Sequence, residues 1–299
     1  MTDEALPSLS VVLCSRNGER FLPVQLAAIR EQQYPAAWEV VLIDDGSTDG
    51  TSELLRAAAD RSVGEPRHRM VRTAGLGMAA ARNVGSEAAA MRCLLFVDHD
   101  DEMAPGYLLA MGRALARHEL VAARIDGDAL NPGWIGRYRP HQQRAGLSRD
   151  FLPFANAGTL GVRASTFLAL GGFDGTESMP DDRDLCFRAA LLGIELVFVP
   201  DAVLRYRHRR ELRAILHQAR RGGRGTVALY RRFRVDGMAP RLLKAEIMRW
   251  LDVVGRLVVA RSTEERARQI HALGLLIGHL EGCVRYRVWW FCWNPTAPR

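Results

Sequence analysis

The sequence predicts an α/β protein built on a mostly parallel sheet with helices on both faces. Three observations carry that expectation. Through the first half of the chain, strand-like runs alternate with helical periodicity in units of about 30 residues, the spacing of right-handed crossovers. Leu94 to Val97 is an unbroken apolar run that reads as a buried strand. Three of the strands end in polar, ligand-capable clusters, and the C-terminal edge of a parallel sheet gathers such clusters in one place.

Leu9 to Cys14 is the first strand, stopped by the turn formers Ser15-Arg16-Asn17-Gly18. Leu22, Leu26 and Ile29 recur at helical spacing, so an amphipathic helix spans Arg20 to Gln33, and Tyr34-Pro35 ends it. Glu39 to Ile43 is a second strand, closed by Asp44-Asp45-Gly46-Ser47-Thr48-Asp49. Ser47 or Thr48 is placed to cap the helix that follows through Leu54 and Leu55 towards Ala59. Met70 to Arg72 gives a short third strand, and Gly75 to Gly77 opens an alanine-rich helix through Arg82 and Asn83 to about Ala90. The Leu94 strand is the fourth, and Pro105 begins a helix over Tyr107 to Arg117.

The fourth strand ends in Asp98-His99-Asp100-Asp101. A buried strand cannot carry three acids into a core, because an unpaired buried carboxylate is costly or titrates away. These acids therefore belong at the strand's mouth. Crowded this closely they repel one another unless a cation sits among them, and the residue types suit a hard divalent ion, Mg²⁺ or Mn²⁺. A solvated acidic turn is the plain alternative for an isolated D-x-D-D. Against it, Ser15-Arg16-Asn17 and Asp44-Asp45 end the first two strands at the same edge, and Asp98 follows Asp45 by 53 positions.

With 299 residues and 48% hydrophobic composition, the chain suffices for one large domain or a domain with an appendage. No run of about 18 uncharged apolar residues occurs. Met1 to Ser8 carries Asp3 and Glu4 and no basic segment, which is not a leader pattern, so the expected compartment is the cytosol. Cys14, Cys93, Cys186, Cys283 and Cys292 lack C-x-x-C spacing and read as free thiols. Net charge is +7 but uneven: from Arg205 to Arg234 eleven arginines stand against one acid, Glu211. That imbalance suits a phosphate group or an anionic lipid surface, or is a solvated basic face; no nucleic-acid-reading motif accompanies it, so nucleic acid is not an expected partner.

The order and spacing of Val-Val-Leu-Cys-Ser-Arg-Asn, Val-Val-Leu-Ile-Asp-Asp-Gly-Ser-Thr-Asp-Gly-Thr, Ala-Ala-Ala-Arg-Asn-Val-Gly and Leu-Leu-Phe-Val-Asp-His-Asp-Asp resemble the family 2 glycosyltransferases, of the GT-A fold, over roughly residues 8 to 208. The resemblance implies a metal-dependent, inverting enzyme that takes its sugar from a nucleoside-diphosphate donor. It implies that Asp45 accepts hydrogen bonds from the nucleotide's base or ribose, an acceptor-only task. Asp98 and Asp100 match the D-x-D that holds Mn²⁺ or Mg²⁺ against the donor diphosphate, with Asp98 also facing the ribose. Asp101 is implied as an orienting neighbour and Arg82 as a helix residue facing the nucleotide. Cys14, where many relatives have proline or threonine, takes no role that needs a thiol and lies with Ser15 and Asn17 along the nucleotide.

The second half supplies the acceptor side. Ala155 to Val162 reads as a glycine-interrupted strand where backbone approaches a ligand. Phe167 to Phe173 resembles the family's helix end and turn beneath the acceptor. Met179-Pro180-Asp181-Asp182-Arg183-Asp184 opens a helix with Leu185, Ala189 and Leu192 on one face; acids there also suit the helix dipole. The stretch resembles the family's Glu-Asp signature with Asp181 in place of the glutamate, which makes Asp182 the general base for the acceptor hydroxyl. One base opposite the leaving diphosphate implies inversion. Ile194 to Val199 is the last strand, closed by Pro200, and His208 falls where relatives place a metal-ligating histidine.

The resulting expectation is a domain over residues 1–208, with a nucleotide-sugar half to about 120 and an acceptor half beyond, followed by a helical extension over 209–299. Leu212 to Arg221, Pro240 to Ala260 and Thr263 to Trp290 read as its helices, with Ser262 to Glu265 a start signal. The Arg285 to Trp293 tail mixes tryptophans with arginines as interfacial segments do, or packs on the domain or a dimer partner. The sequence does not name the acceptor, for which a lipid-linked molecule and a natural-product aglycone are the two classes in view; a lipid-linked one accounts for the basic and aromatic surfaces together and goes with peripheral contact at the inner face of a membrane. The rival enzyme is a nucleotidyltransferase, which opens with a glycine-rich phosphate loop; a nucleotide-binding or membrane-docking protein without turnover is the non-enzymatic rival.

Overall fold

The computed structural model describes residues 5–60, 66–131, 133–138, 143, 145–149, 151–176 and 179–293. It divides into two compact units, one of residues 1–130, 141–176 and 181–207, the other of residues 131–140, 177–180 and 208–299. Met1 to Glu4, half of the stretch read for a leader, lie outside the described residues.

The first unit runs β1 (Leu9–Ser15), α1 (Leu22–Arg30), β2 (Trp38–Asp45), α2 (Thr51–Asp60), β3 (Arg67–Thr73), α3 (Met78–Ala88), β4 (Cys93–Asp98), β5 (Glu102–Met103), α4 (Tyr107–Arg117) and β6 (Leu120–Asp126). It continues through β7 (Ser148–Arg149), β8 (Pro153–Phe154), β9 (Leu160–Arg163), α5 (Ala164–Ala169), α6 (Asp181–Leu191) and β10 (Leu196–Arg205). Eight strands form one sheet in the order β3-β2-β1-β4-β9-β6-β10-β5. Neighbours among β1 to β4 are parallel, as is β6 with β10; β9 runs antiparallel between β4 and β6, and β5 antiparallel to β10. The sheet is therefore mostly parallel, as expected.

Strand alternation sends Leu9, Val11 and Leu13 of β1 into one layer with Leu22, Leu26 and Ile29 of α1 and Leu108, Met111 and Leu115 of α4. Val12 and Cys14 point the other way, towards Ala81 of α3, Phe167 of α5, and Leu185 and Ala189 of α6. Both faces are covered at the centre of the sheet, so β1 from Val11 to Cys14 and β4 from Cys93 to Val97 run without a polar residue, and each buried large side chain stabilises by roughly 1.5–3 kcal/mol.

Several expected boundaries move, each for a local reason. Ser47 and Thr48 do not cap α2: the Ser47 hydroxyl accepts from the Asn17 N–H and the Thr48 N–H donates to Asn17 Oδ1, while Asp49 Oδ1 accepts from the Thr51 N–H that opens the helix. Of Ala155 to Val162 only the part from Leu160 is strand, because Ala157–Thr159 forms a 3₁₀ turn closed by the Thr159 N–H on the Asn156 carbonyl. Leu192 lies beyond α6 and is exposed, since Gly193 turns the chain at φ 78°. Pro200 does not end the last strand. The β6–β10 register shifts between Val199 and Val203, and in that bulge the missing proline N–H costs no ladder bond.

The second unit holds α7 (Leu212–Phe233), β11 (Arg241–Leu242), α8 (Leu243–Val259), α9 (Thr263–Tyr286) and β12 (Phe291–Cys292), with β11 parallel to β12. Ser262 and Glu265 form a capping box at the start of α9. α7 outruns the expected end at Arg221 because its helix-weakening glycines are contact points. A Cβ on Gly278 of α9 would stand 2.9 Å from the Gly223 Cα, one on Gly274 2.7 Å from the Ala219 Cβ, and one on Gly282 2.8 Å from the Val227 Cβ. The two helices thus touch backbone to backbone along a four-residue repeat. α9 stops at Tyr286, not Trp290, because Arg287 turns left-handed at φ 50°. Trp290 is then buried while Trp289 and Trp293 stay exposed. Among the described residues no helix is long and apolar enough to cross a membrane.

Candidate active site

The parallel register sets the mouth of the sheet. Ser15 lies beside Asp44 and Cys14 beside Asp98, so the ends of β1, β2 and β4 are adjacent. Cys14 faces the core, fully buried, and burial pushes its thiol up to about 12, so it stays a neutral packing group. Ser15 is also fully buried, beneath Gly18. Asn17 sits at φ 51° and ties the β1–α1 loop to the β2–α2 loop through Ser47 and Thr48. The Gly18 N–H donates to Thr51 Oγ1 at 2.8 Å. With the amides of Asn17 and Gly18 so engaged, this loop is not a phosphate cradle of the nucleotidyltransferase kind.

Asp45 is buried at the end of β2. Its Oδ1 accepts from Thr73 Oγ1 at 2.6 Å and from the Leu76 N–H at 2.7 Å, and its Oδ2 from the Gly77 N–H at 2.9 Å. The carboxylate thus shapes the loop between β3 and α3. On α3, Arg82 is buried and its guanidinium joins two acids, Nη2 to Asp98 Oδ1 and Nη1 to Asp181 Oδ2, each at 2.6 Å. Burial opposes its charge, but Asp98 and Asp181 outweigh burial and hold the guanidinium above its ordinary pKa. Arg82 therefore binds the start of the D-x-D-D to the start of α6.

The acidic turn is braced on all sides. Asp101 is buried, and burial, then Asp100 and Asp98, push its carboxyl well above the usual range. Its Oδ1 accepts the Arg207 N–H at 2.9 Å, Arg207 Nε donates to the Asp100 carbonyl at 2.9 Å, and the same guanidinium lies 4.7 Å from the Phe21 ring. From α1, the fully buried Gln25 donates to the Asp98 carbonyl and accepts the Met103 N–H. A Cβ on Gly158 would stand 2.8 Å from Asp98 Oδ2, so the backbone of the 3₁₀ turn closes directly on that carboxylate.

Asp181 and Asp182 open α6. Burial and then Asp181 raise Asp182 to about 6, against Arg183, so it titrates near neutrality. Arg188, one turn on, pairs with Asp184 and donates to the Leu170 and Gly172 carbonyls, and Asn83 of α3 both donates to and accepts from the Phe173 backbone. These fix the Gly171-Gly172-Phe173 turn.

Asp45, Arg82, Asp98, Asp100, Asp101, Asp181 and Asp182 thus belong to one unit, linked directly or through neighbours. His208 belongs to the other: it is buried, its N–H donates to Asn131 Oδ1 at 2.8 Å, and its ring meets Tyr138 edge-on at 5.5 Å. Among the described residues no three His, Cys, Asp or Glu side chains are gathered to hold a metal. Gln25, Arg188 and Arg207 were not singled out individually in the sequence, although Gln25 lies three residues after Leu22 on an otherwise apolar stripe, and that polar interruption is a readable signal.

The model of glycosyl transferase family 2 matches residues 10–169, and that of glycosyl transferase family group 2 matches residues 138–296. The pre-mycofactocin glycosyltransferase of Mycobacterium tuberculosis is 28% identical over 224 residues, 69% of this chain and 44% of that one. Validoxylamine A glucosyltransferase of Streptomyces hygroscopicus subsp. limoneus is 33% identical over 205 residues, 56% of this chain and 44% of that one. The chain spans less than half the length of these relatives. The mannosyltransferase PcManGT from Pyrobaculum calidifontis, solved with GDP-Man and Mn²⁺, superposes with a TM-score of 0.64 at 19% identity, over 93% of this chain and 90% of that one.

Proposed function

The chain belongs to glycosyl transferase family 2, and from that premise we propose that it transfers a sugar from a nucleoside-diphosphate donor to an acceptor hydroxyl, inverting the anomeric centre. The observation that carries the reading is the Arg82 bridge, which ties Asp98 of the D-x-D-D to Asp181, next to Asp182. A donor-side acid and a near-neutral base are thereby held in one constellation.

A divalent cation fits the acidic turn. Asp98, Asp100 and Asp101 crowd negative charge, as the raised carboxyl of Asp101 reports, and carboxylate oxygens are the ligands Mn²⁺ and Mg²⁺ prefer. One or two carboxylates with substrate phosphates suffice for such ions, so Asp98 and Asp100 would hold it without a cage of protein ligands. Bound there, the metal neutralises charge on the departing diphosphate. The Mn²⁺ of the structural neighbour supports this assignment.

The chain's own residues do the rest. Asp45 already takes three hydrogen bonds, and since a carboxylate offers about four acceptor positions, one remains for a base or ribose donor. Asp182, ionised above pH of about 6, takes the proton of the acceptor hydroxyl as it attacks. Arg82 keeps Asp98 and Asp181 apart in charge and fixed in place. We infer further that the acceptor is lipid-linked or a natural-product aglycone and that the protein works peripherally at a membrane surface, a reading supported by the basic composition beyond Arg205.

Calorimetry of UDP, GDP and dTDP with and without Mn²⁺ tests the donor site. One diphosphate binds in a Mn²⁺-dependent manner, and Asp100→Ala weakens it by about a hundredfold, since removing a ligand or its support typically costs 10–100-fold. Binding indifferent to both the metal and Asp100 would overturn the reading.

A further inference from the structure

We propose that the outer face of α8, together with Trp289 and Trp293, is a docking surface for an anionic lipid bilayer. α8 is amphipathic but turned inside out. Of its 17 residues only Glu246 and Val253 are buried. Its apolar side chains at helical spacing face solvent instead: Ile247 is 48% exposed, Leu251 64%, Val254 47% and Val258 81%. Met248 and Val259, also exposed, widen the stripe. An ordinary surface helix turns that stripe to the core, and an exposed apolar patch of this extent marks an interaction face.

The opposite side of α8 is the anchored one. Glu246 reaches His279 of α9 at 2.9 Å, both buried, and Arg241, just before α8, lies over the Trp290 ring at 5.4 Å. At that end of the helix β11 pairs with β12, which places the exposed Trp289 and Trp293 on either side of the paired Phe291–Cys292. Tryptophan beside arginine is the pairing found at the level of lipid headgroups.

Charge selects the occupant. Between residues 208 and 293 the chain has eighteen Lys and Arg against seven Asp and Glu. Lys244 on α8 and Arg285 and Arg287 at the end of α9 are exposed cations, while Arg256 of α8 pairs with the exposed Asp252 at 2.7 Å. A second copy with the same excess repels this one, whereas anionic headgroups attract it while the stripe enters the acyl boundary. The inference rests on the membrane-surface part of the reading above and on none of its chemistry.

Sedimentation of the full chain with vesicles tests it, using phosphatidylcholine alone and equal parts phosphatidylcholine and phosphatidylglycerol. Wild type pellets with the mixed vesicles, less at high salt, and little with the neutral ones. Leu251→Ser with Val258→Ser, both at exposed positions, lowers partitioning by roughly tenfold or more. Circular dichroism and nucleoside-diphosphate binding of that variant match wild type, which separates loss of docking from failure of the transferase reading. Equal pelleting of variant and wild type overturns the proposal, as does equal binding to neutral vesicles. No vesicle binding, with a concentration-dependent dimer that the variant dissolves, overturns it in favour of a second copy of the chain.

Discussion

In the first unit, polar side chains are held by partners far along the chain; in the second, the closest contacts between helices are made by residues with no side chain at all. Gln25 reaches the backbone of Asp98 and Met103, Asn83 that of Phe173, and the buried Gln143 links Ala123, Asn156 and Thr159. Such buried polar networks fix geometry only when their members are satisfied. α7 and α9 instead meet through Gly223, Gly274, Gly278 and Gly282, where shape alone sets the approach. The first construction suits a place where charges must be positioned. The second gives a compact helical pair to which α8 is anchored through Glu246 and His279.

That contrast is broken first at Arg82. Arg82→Ala leaves Asp98 and Asp181 facing each other without their shared cation and lowers unfolding free energy by about 3 kcal/mol, read from urea titration. Arg82→Lys restores charge but not the two-pronged geometry, so it recovers part of the loss. An unchanged midpoint for the alanine variant would mean the bridge is not structural.

In the second unit the corresponding lesion is steric. Gly278→Val puts a branched side chain against the α7 backbone at Arg220 and Gly223 and costs about 2 kcal/mol, the scale of overpacking. Nucleoside-diphosphate binding should persist in this variant at temperatures where it stays folded. Loss of binding in the folded variant would show that the two regions are not built separately.

The smallest expected effect is a displacement along the pH axis. Turnover rises as pH passes about 6, where Asp182 ionises. Asp181→Asn removes the neighbouring charge that helps to raise it, leaving burial as the main cause, so the acidic limb moves to lower pH in a profile of kcat. The sign for stability is opposite to that of a salt-bridged acid: the folded state holds this proton more tightly than the unfolded chain. Asp182 therefore contributes stability at acid pH that is lost as pH rises through about 6.

The legible parts of the molecule are those where one residue type has one physical reason to be there. Acids cannot continue a buried strand, so Asp98 to Asp101 mark the end of β4 as plainly as Asp44-Asp45 mark that of β2. Pro200 misled because a bulge removes the penalty that normally ends a strand there. Gly223 misleads in the other direction, since a poor helix former is kept inside a helix when the neighbouring helix needs its emptiness. The sequence shows Arg82 on its helix, but not that its guanidinium pairs with two carboxylates, 16 and 99 positions away. Such pairings depend on how β4 and α6 converge, which no local spacing encodes.

The central claim is that Asp182 acts on the acceptor while the acids of β4 hold the donor. It is tested most directly by following nucleoside-diphosphate release from a panel of sugar nucleotides with Mn²⁺, for wild type and Asp182→Asn side by side. The account predicts that wild type turns over one donor, and that the variant binds its diphosphate equally well yet turns over about 10²–10⁴-fold more slowly. A variant as active as wild type, or one that loses diphosphate binding along with turnover, would contradict it.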